Sequence, residues 1–281
     1  MNVLVCVKQI PDPNAPGKLD PQSKRLVREG VDLVLDPGDE HGVEAGLQLT
    51  EKDGGEVTII SMGPPKALEA IRRALAMGAH RGILVTDPAL ENSDALSTAR
   101  AIAAAIKDQP YDLIICGTES TDGSSGAMPA QLAELLTLPL LSFAKKLEVA
   151  EGKAVIDRQT DDGYDVVEAP LPAIVTVTGG INEARYPALR GIMQAKNKDV
   201  KQVGLGEIGL DGKAGKAALT QEVVEATPAE ARKAGEVVED KGEGAKRVAD
   251  FLKKLKVICW PGSGSLRKPS MGRPSRWCSS C

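Results

Sequence analysis

Four short runs of mostly apolar, β-branched residues constrain the fold of this chain more than any other feature. They occupy residues 3–7, 57–60, 83–85 and 113–116. A strand with one face in water alternates apolar and polar residues, so unbroken runs are typical of strands that are covered on both faces. Such strands occur mainly in parallel sheets whose connections are helices. The runs therefore predict a parallel sheet with helices packed on it.

Helical periodicity between and after these runs supports that prediction. Apolar residues recur three and four positions apart in four segments. The first begins after Asp36-Pro37-Gly38-Asp39 and carries Val43 and Leu47, and the second carries Leu68, Ile71 and Leu75 and ends at Gly78. The third follows the cap candidates Asn92 and Ser93 and carries Leu96, Ala99, Ile102 and Ile106. The fourth begins near Ser124 and carries Met128, Leu132 and Leu135. The fold class is thus predicted to be α/β, with a doubly wound, mostly parallel, Rossmann-like sheet.

The second half of the chain follows a different pattern. Apolar and polar residues alternate around Gly152 and again around Gly163, which predicts antiparallel hairpins added at the sheet edge. One more buried strand is expected at residues 173–178. Residues 201–242 are rich in Gly, Ala and charged residues and predict an extended arm. A last helix carries an apolar stripe, and such a stripe needs a surface to cover. The stripe consists of Val248, Phe251, Leu252 and Leu255.

Three regions are therefore predicted along the chain. They are an α/β domain with an added hairpin at 1–200, an arm at 201–258 whose C-terminal helix packs on another domain or subunit, and an unstructured extension at 259–281. The extension holds four basic residues and no acid, so the rest of the chain carries −8 against −4 for the whole. An acidic body argues against nucleic acid as the main partner.

The cysteines and the apolar segments limit the setting of the protein. The body has only two cysteines, which excludes a disulfide framework, and Cys278 and Cys281 form a single C-x-x-C without a second pair. We therefore expect the extension to be unstructured and not a metal-binding knuckle. No apolar run reaches the roughly 20 residues of a membrane helix, and no secretion signal is evident. The expected location is the bacterial cytoplasm or the mitochondrial matrix, with no direct membrane insertion.

The loop at residues 117–126, GTESTDGSSG, is the most informative segment for function. It follows the fourth strand and leads into a helix. Glycines allow close approach of the backbone to an anion, hydroxyl groups donate to phosphate oxygens, and a helix start adds a partial positive charge. The same residues are also typical of an ordinary turn with a helix cap. A phosphate site and a simple turn both remain open on spacing alone.

Other motifs and chemical groups point away from catalysis. The chain has neither G-x-G-x-x-G after the first strand nor G-x-x-x-x-G-K-[ST], which argues against a standard dinucleotide enzyme or a P-loop NTPase. His41 and His80 lack metal-ligand spacing and are expected to be solvated or capping residues. Cys6 and Cys116 are expected in the core. The cluster of Asp161, Asp162 and Asp165 is expected to form a turn. No metal site and no acid–base pair is predicted.

Five segments in order resemble one family, the small (beta) subunit of electron transfer flavoprotein. They are VLVCVKQIPD, AIRRALAMGAHRG, GTESTDGSSGAMPAQLAELLTLP, RQTDDGYD followed by PAIVT, and INEARYPALRGIMQAKNK. The resemblance runs from residue 2 to about residue 258, and residues 259–281 have no counterpart in it.

The resemblance implies a heterodimer in which the alpha subunit carries most of an FAD site and this chain binds a structural AMP. The implied AMP contacts are Cys6, Asp36, Pro37, Gly38, Asp39, Met62, Glu119, Ser120, Thr121, Asp122, Gly123, Ser124, Ser125, Gly126, Ala127, Met128, Pro129 and Ala130. All of them fall at one predicted edge of the sheet, where open α/β sheets bind ligands. Asp122 is expected to fix the loop or to bind ribose, since a carboxylate repels phosphate.

The resemblance also implies a recognition loop that docks partner dehydrogenases. The loop consists of Tyr186, Pro187, Ala188, Leu189, Arg190, Gly191, Ile192 and Met193, with Leu189 as the protruding anchor. A Leu held outside the core can fill a partner pocket. The alternative is that Leu189 packs into the core of its own chain.

The function implied by the resemblance is electron carriage without catalysis by this chain. Acyl-CoA dehydrogenases or similar flavoenzymes would reduce the FAD of the heterodimer, which would pass electrons to a membrane quinone reductase. Two alternatives are kept. One is an electron-bifurcating flavoprotein with a second FAD in place of AMP, and the other is a stand-alone adenine-nucleotide-binding protein of the universal-stress type.

Overall fold

The computed structural model describes residues 1–227, 235, 237, 239–240 and 242–255. The strands are β1 (Asn2–Cys6), β2 (Gln9–Pro11), β3 (Leu33–Leu35), β4 (Glu56–Met62), β5 (Arg81–Val85), β6 (Leu113–Gly117), β7 (Leu140–Ala150), β8 (Lys153–Thr160), β9 (Gly163–Pro170), β10 (Ala173–Val177) and β11 (Val200–Val203). The α-helices are α1 (Pro37–Asp53), α2 (Leu68–Met77), α3 (Ala95–Ile106), α4 (Met128–Leu136), α5 (Leu189–Ala195) and α6 (Gly244–Lys254). Short 3₁₀ helices lie at Pro65–Ala67, Pro88–Leu90 and Gly215–Ala218.

Nine strands form one sheet in the order β11-β5-β4-β1-β6-β10-β7-β8-β9. All pairings from β11 to β7 are parallel, and β8 and β9 add antiparallel strands at one edge. The remaining strands, β2 and β3, pair antiparallel in a small separate sheet. This architecture confirms the predicted doubly wound, mostly parallel α/β fold with added hairpins.

Two apolar layers cover the two faces of the sheet. Alternate residues of each parallel strand point to opposite faces, so every central strand contributes to both layers. The layer with α1 and α2 includes Val5, Val43, Ile59, Ile71 and Leu75. The layer with α3 and α4 includes Leu4, Ile60, Ile102, Ile114 and Leu132. Because each strand must place apolar side chains on both faces of the sheet, its sequence is an unbroken apolar run. Each fully buried Leu or Ile side chain stabilises the fold by about 1.5–3 kcal/mol.

The strand order reverses at β1, which lies between β4 and β6. The chain builds outward from β1 through β4 to β5, then crosses back to β6 on the other side of β1. The connections therefore diverge at the carboxyl ends of β1 and β6 and leave a crevice there. In open α/β sheets this topological switch point is where ligands bind.

Helix α4 begins later than the sequence predicted. It starts at Met128, with Pro129 in its first turn, instead of near Ser124. The preceding residues adopt an irregular loop in which Ser124 has a φ of 44° and Gly126 a φ of 59°, a conformation that a helix does not allow. The loop after β6 is therefore longer and less regular than expected.

The region beyond residue 200 also differs from an extended arm. Val200–Val203 forms β11 and pairs parallel with β5, so it extends the sheet. By contact the chain divides into two units, Met1–Ala226 and a second one from Thr227 onward. In the second unit, Val248 and Phe251 of α6 and Leu255, which follows the helix, are exposed. The predicted extension at 259–281 lies outside the described residues. No described helix is long and apolar enough to cross a membrane.

Candidate functional site

Asp36 ties the loop after β6 to the start of α1 at the switch point. It is the N-cap of α1, and its Oδ1 accepts a hydrogen bond from the Gly38 backbone N–H at 3.0 Å. Its Oδ2 accepts from the Thr121 N–H and its Oδ1 from the Thr121 hydroxyl, both at 2.7 Å. Asp36 is fully buried. A buried carboxylate with three donors is stably held, so it fixes the loop relative to the sheet.

Two cations hold a second carboxylate of the same loop. The Lys8 Nζ lies 2.6 Å from Asp122 Oδ1 and also donates to the Ser120 hydroxyl at 3.2 Å. Arg28 contacts the other carboxylate oxygen of Asp122, whose side chain is 3% exposed. Burial opposes ionisation of Asp122, but hydrogen bonds from both cations outweigh it and lower the pKa of Asp122 below its usual value. Asp122 thus fixes the loop, and Lys8 and Arg28 bring two positive charges to its surface.

Asp39 lies deeper in the crevice, on the first turn of α1. Its Oδ2 accepts the Lys8 N–H at 2.8 Å. A Cβ added at Gly117 would lie 2.6 Å from Asp39 Oδ1, so a larger residue at the end of β6 would displace the Asp39 carboxyl group. Burial, followed by the charge of Asp36, raises the pKa of Asp39 well above its usual value. A neutral carboxyl group does not repel a phosphate as a carboxylate does.

The two buried cysteines lie on adjacent strands at the same edge. Cys6 ends β1 and Cys116 is on β6, and both are free thiols. A hydrogen bond with Cys6 and burial raise the pKa of the Cys116 thiol well above its usual value. A thiol of this kind stays protonated and packs as a small apolar group, as the sequence predicted.

An exposed turn and an open cleft complete the site. Residues 123–126 of the loop are exposed and lead into α4, whose N-terminus carries a partial positive charge. A cleft of about 800 Å³ is bordered by Gly38 and Glu119 on one side and by residues 159–161 and 178–180 on the other. This volume is within the range of small-molecule sites. The arrangement can bind an anionic ligand at the loop and a larger group beside it.

The structure brings the predicted nucleotide residues to one edge of the sheet. Cys6, Asp36–Asp39 and residues 119–130 surround the switch point, and Met62 ends the neighbouring strand β4. Pro129 is buried in the first turn of α4. The sequence prediction missed Lys8 and Arg28. The position of Lys8 directly after the apolar run 3–7 was a usable signal, whereas Arg28 lies in an irregular segment without one.

The groups that the sequence assigned to structural roles have structural contacts. His41 Nδ1 is 3.0 Å from Asn182 Oδ1, and His80 Nδ1 accepts the Val57 N–H at 3.0 Å. Asp161 and Asp162 form the turn between β8 and β9, whereas Asp165 lies within β9. Among the described residues no group of three or more His, Cys, Asp and Glu side chains is arranged to hold a metal.

The segment Tyr186–Met193 presents apolar side chains to solvent. The short helix α5 begins at Leu189, whose side chain is 75% exposed. Tyr186, Ile192 and Met193 are also exposed. The alternative in which Leu189 packs into the core of its own chain is therefore wrong.

Comparison with known proteins agrees with this arrangement. The model of the electron transfer flavoprotein domain matches residues 24–207. The chain is 41% identical over 264 residues to the electron transfer flavoprotein subunit beta of Mycobacterium tuberculosis, covering 92% of this chain and 99% of the relative. It is 38% identical over 245 residues to the subunit of that name from Thermoanaerobacterium thermosaccharolyticum, covering 84% and 92%. It is 36% identical over 216 residues to the caffeyl-CoA reductase-Etf complex subunit CarD of Acetobacterium woodii, covering 76% and 82%. With a family match over most of the sheet and relatives of this identity over nearly their whole length, the chain belongs to the electron transfer flavoprotein family, as a subunit of the beta type.

Proposed function

We propose that this chain is the small subunit of a heterodimeric, FAD-containing electron carrier and that its switch-point site holds AMP. The observation that carries the AMP proposal is the loop after β6, which Asp36 anchors to α1 and beside which Lys8 and Arg28 lie. A turn that exposes backbone next to two cations and a helix N-terminus suits a phosphate group. The neutral form of Asp39, which its raised pKa favours, adds no repulsion.

The chemistry of electron transfer belongs to the FAD, which accepts and releases electrons when it is bound at the heterodimer, mainly on the alpha subunit. This chain contributes binding and placement. The site groups with perturbed pKa values, Asp39, Cys116 and Asp122, have structural partners, and none has an arrangement for acid–base or nucleophilic work. The role that fits these residues is that of a carrier subunit and not of an enzyme.

We further propose that acyl-CoA dehydrogenases or related flavoenzymes donate the electrons and that a membrane quinone reductase accepts them. The segment Tyr186–Met193 is the proposed dehydrogenase contact, with Leu189 as its anchor. A large apolar side chain that is 75% exposed on a short helix can fill a partner pocket without a large interface, which suits brief encounters. The proposed setting is the bacterial cytoplasm or the mitochondrial matrix.

An electron-bifurcating role is the second candidate, because a relative at 36% identity is a subunit of a caffeyl-CoA reductase complex. In that case a second FAD would take the place of AMP. The open cleft beside Gly38 and Glu119 is large enough for a group beyond the nucleotide. The stress-protein alternative loses its support, since family membership accounts for the sheet and the loop together.

The test is to co-express the chain with an alpha-type subunit, purify the complex and quantify the nucleotides released on denaturation. One FAD and one AMP per heterodimer would support the carrier. Two FAD and no AMP would support the bifurcating alternative. In the same complex, Leu189→Ala is expected to raise the KM of an acyl-CoA dehydrogenase for the carrier while FAD content stays normal. An unchanged KM would remove the anchor role.

A further inference from the structure

The chain between β10 and α5 runs along one face of helix α1. His41, Glu44 and Glu51 are three and seven residues apart, a spacing that places them on the same side of a helix. Asn182 makes the first contact, since its Nδ2 donates to the His41 carbonyl and its Oδ1 pairs with the His41 ring, each at 3.0 Å. The path towards the recognition segment, Tyr186–Met193, is therefore fixed before the segment begins.

Arg185, directly before that segment, binds two glutamates of α1 at once. Its Nε and Nη2 lie 2.7 Å and 3.0 Å from the two oxygens of Glu44, and its Nη2 also lies 2.9 Å from Glu51 Oε2. Its Nη1 donates to the other Glu51 oxygen. Both carboxylates are held in the two-bond geometry that a planar guanidinium provides and a lysine does not.

The two glutamates bound by Arg185 differ in how far they are exposed to solvent. The Glu44 side chain is 4% exposed, the Arg185 side chain 34% and the Glu51 side chain 56%. Burial alone would raise the pKa of Glu44, but its hydrogen bonds with Arg185 outweigh burial and lower that pKa. Glu44 is therefore an ionised, nearly buried acceptor that has Arg185 as its cation, and this pair cannot be loosened without leaving a buried charge unpaired.

The other end of the segment is held by helix α2. A Cβ added at Gly191 would lie 2.3 Å from the Ala76 carbonyl oxygen, so α5 approaches the α2 backbone more closely than any other residue would allow. Arg72 donates to the carbonyls of Ala195 and Lys198. The Lys198 ammonium donates to the carbonyl of Leu75 in α2 and to that of Ala79 just after the helix. The segment is thus bracketed between α1 and α2, and its apolar side chains point to solvent.

We propose that Arg185 is a positioning residue for partner docking. It holds the segment in its docking geometry before a partner arrives. Because the backbone and the exposed Leu189 are already ordered, binding does not have to offset the free-energy cost of ordering them. This inference rests on the proposed docking function of the segment. It assigns to Arg185 an effect on the encounter with the partner and none on the flavin. Loss of the two-carboxylate clamp therefore raises the KM for the carrier and leaves kcat and FAD content unchanged.

The test compares Arg185→Gln and Arg185→Lys with a matched control, Arg73→Gln, in the purified heterodimer. Arg73, on α2, also pairs with a glutamate of α1, because its Nε lies 3.2 Å from Glu40 Oε1. For Arg185→Gln we expect about tenfold faster amide hydrogen exchange in residues 186–193 and a KM about tenfold higher, the factor that corresponds to ordering one or two side chains. Arg185→Lys is expected to rescue part of both effects, and Arg73→Gln to change neither.

A second variant guards against a folding defect. Glu51→Gln removes only the exposed half of the clamp and leaves the buried pair intact, so the protein is expected to keep its melting temperature while the KM rises a few-fold. Unchanged exchange and unchanged KM in both Arg185→Gln and Glu51→Gln would overturn the positioning role. The Leu189→Ala variant separates the two proposals. If it leaves the KM unchanged, the docking function itself fails, and if it raises the KM while the clamp variants do not, only the role of Arg185 fails.

Discussion

The contact between Asp36 and Thr121 is expected to be the strongest single link between the proposed nucleotide loop, residues 117–126, and the start of α1. Asp36 caps α1 and accepts two further hydrogen bonds from Thr121, each at 2.7 Å, at a fully buried position. Loss of a helix cap costs about 1 kcal/mol, and a hydrogen bond to a charged group contributes about 1.5–3 kcal/mol. Asp36→Ala, which removes the cap and both bonds from Thr121, should therefore lower the free energy of unfolding by about 4–7 kcal/mol.

The hydroxyl part of this link can be isolated by a double-mutant cycle. Thr121→Val keeps the size of the side chain and removes only the hydroxyl donor, so it should cost about 1.5–3 kcal/mol. Each single variant already removes the bond between the Thr121 hydroxyl and Asp36. The double variant should therefore lose about 2 kcal/mol less free energy of unfolding than the two single variants lose together. Urea unfolding followed by far-UV circular dichroism gives all four values. A coupling below about 0.5 kcal/mol, the ordinary scatter of additive sites, would refute the proposed link.

Three other outcomes follow from the geometry. Gly191→Val is expected to cost about 1–3 kcal/mol in thermal unfolding, because its Cβ would lie 2.3 Å from the Ala76 carbonyl oxygen, and wild-type stability would contradict that close approach. Although burial alone would raise the pKa of Asp94, hydrogen bonds from Thr220 and from Ser97 at the start of α3 lower it to about 2. Its stabilisation is thus complete above about pH 4 and lost as the pH falls through 2, so the roughly 1 kcal/mol cost of Asp94→Ala at neutral pH should be small near pH 2 and vanish below it in urea titrations. Cys6 and Cys116 should resist iodoacetamide at pH 8 in the folded protein, as read by peptide mass spectrometry, and rapid alkylation of either would show that the thiols are not buried as described.

The fold was predictable where burial on both faces leaves a local signal. The runs that became β1, β4, β5 and β6 are apolar because each strand must contribute to two packed layers. Helix starts were predicted less well: the sequence placed the start of α1 after Asp39, whereas Asp36 caps the helix and Pro37 begins it. For α3 the sequence predicted Asn92 or Ser93 as the cap, and this was wrong, because Asp94 caps the helix. The Ser93 hydroxyl donates to the Leu90 carbonyl and so belongs to the preceding turn. Local composition does not reveal which of these neighbouring residues caps the helix.

The remaining features depend on contacts between distant parts of the chain. Strand β11 has only four residues and is partly exposed, so it carries no apolar signal, and it is a strand because β5 offers it a free edge. In the site, Asp122 was expected to fix the loop or to bind ribose, but its partners were not foreseeable. Lys8 is 114 residues away and Arg28 is 94 residues away, in an irregular segment. Residue type predicted the chemistry of the loop, and only the fold revealed which cations reach it.

Helix α1 connects the two proposed sites and also keeps them independent. Its N-cap, Asp36, holds the nucleotide loop, and Glu44 and Glu51 hold Arg185 at the base of the recognition segment. Eight residues separate Asp36 from Glu44, which is about 12 Å along a helix. Fraying after loss of the cap affects mainly the first turn, and sites more than 7–10 Å apart without shared partners usually act additively. A nucleotide in this site would therefore stabilise the loop and the start of α1 while the docking segment keeps its geometry, which is the behaviour expected of a structural and not a regulatory ligand.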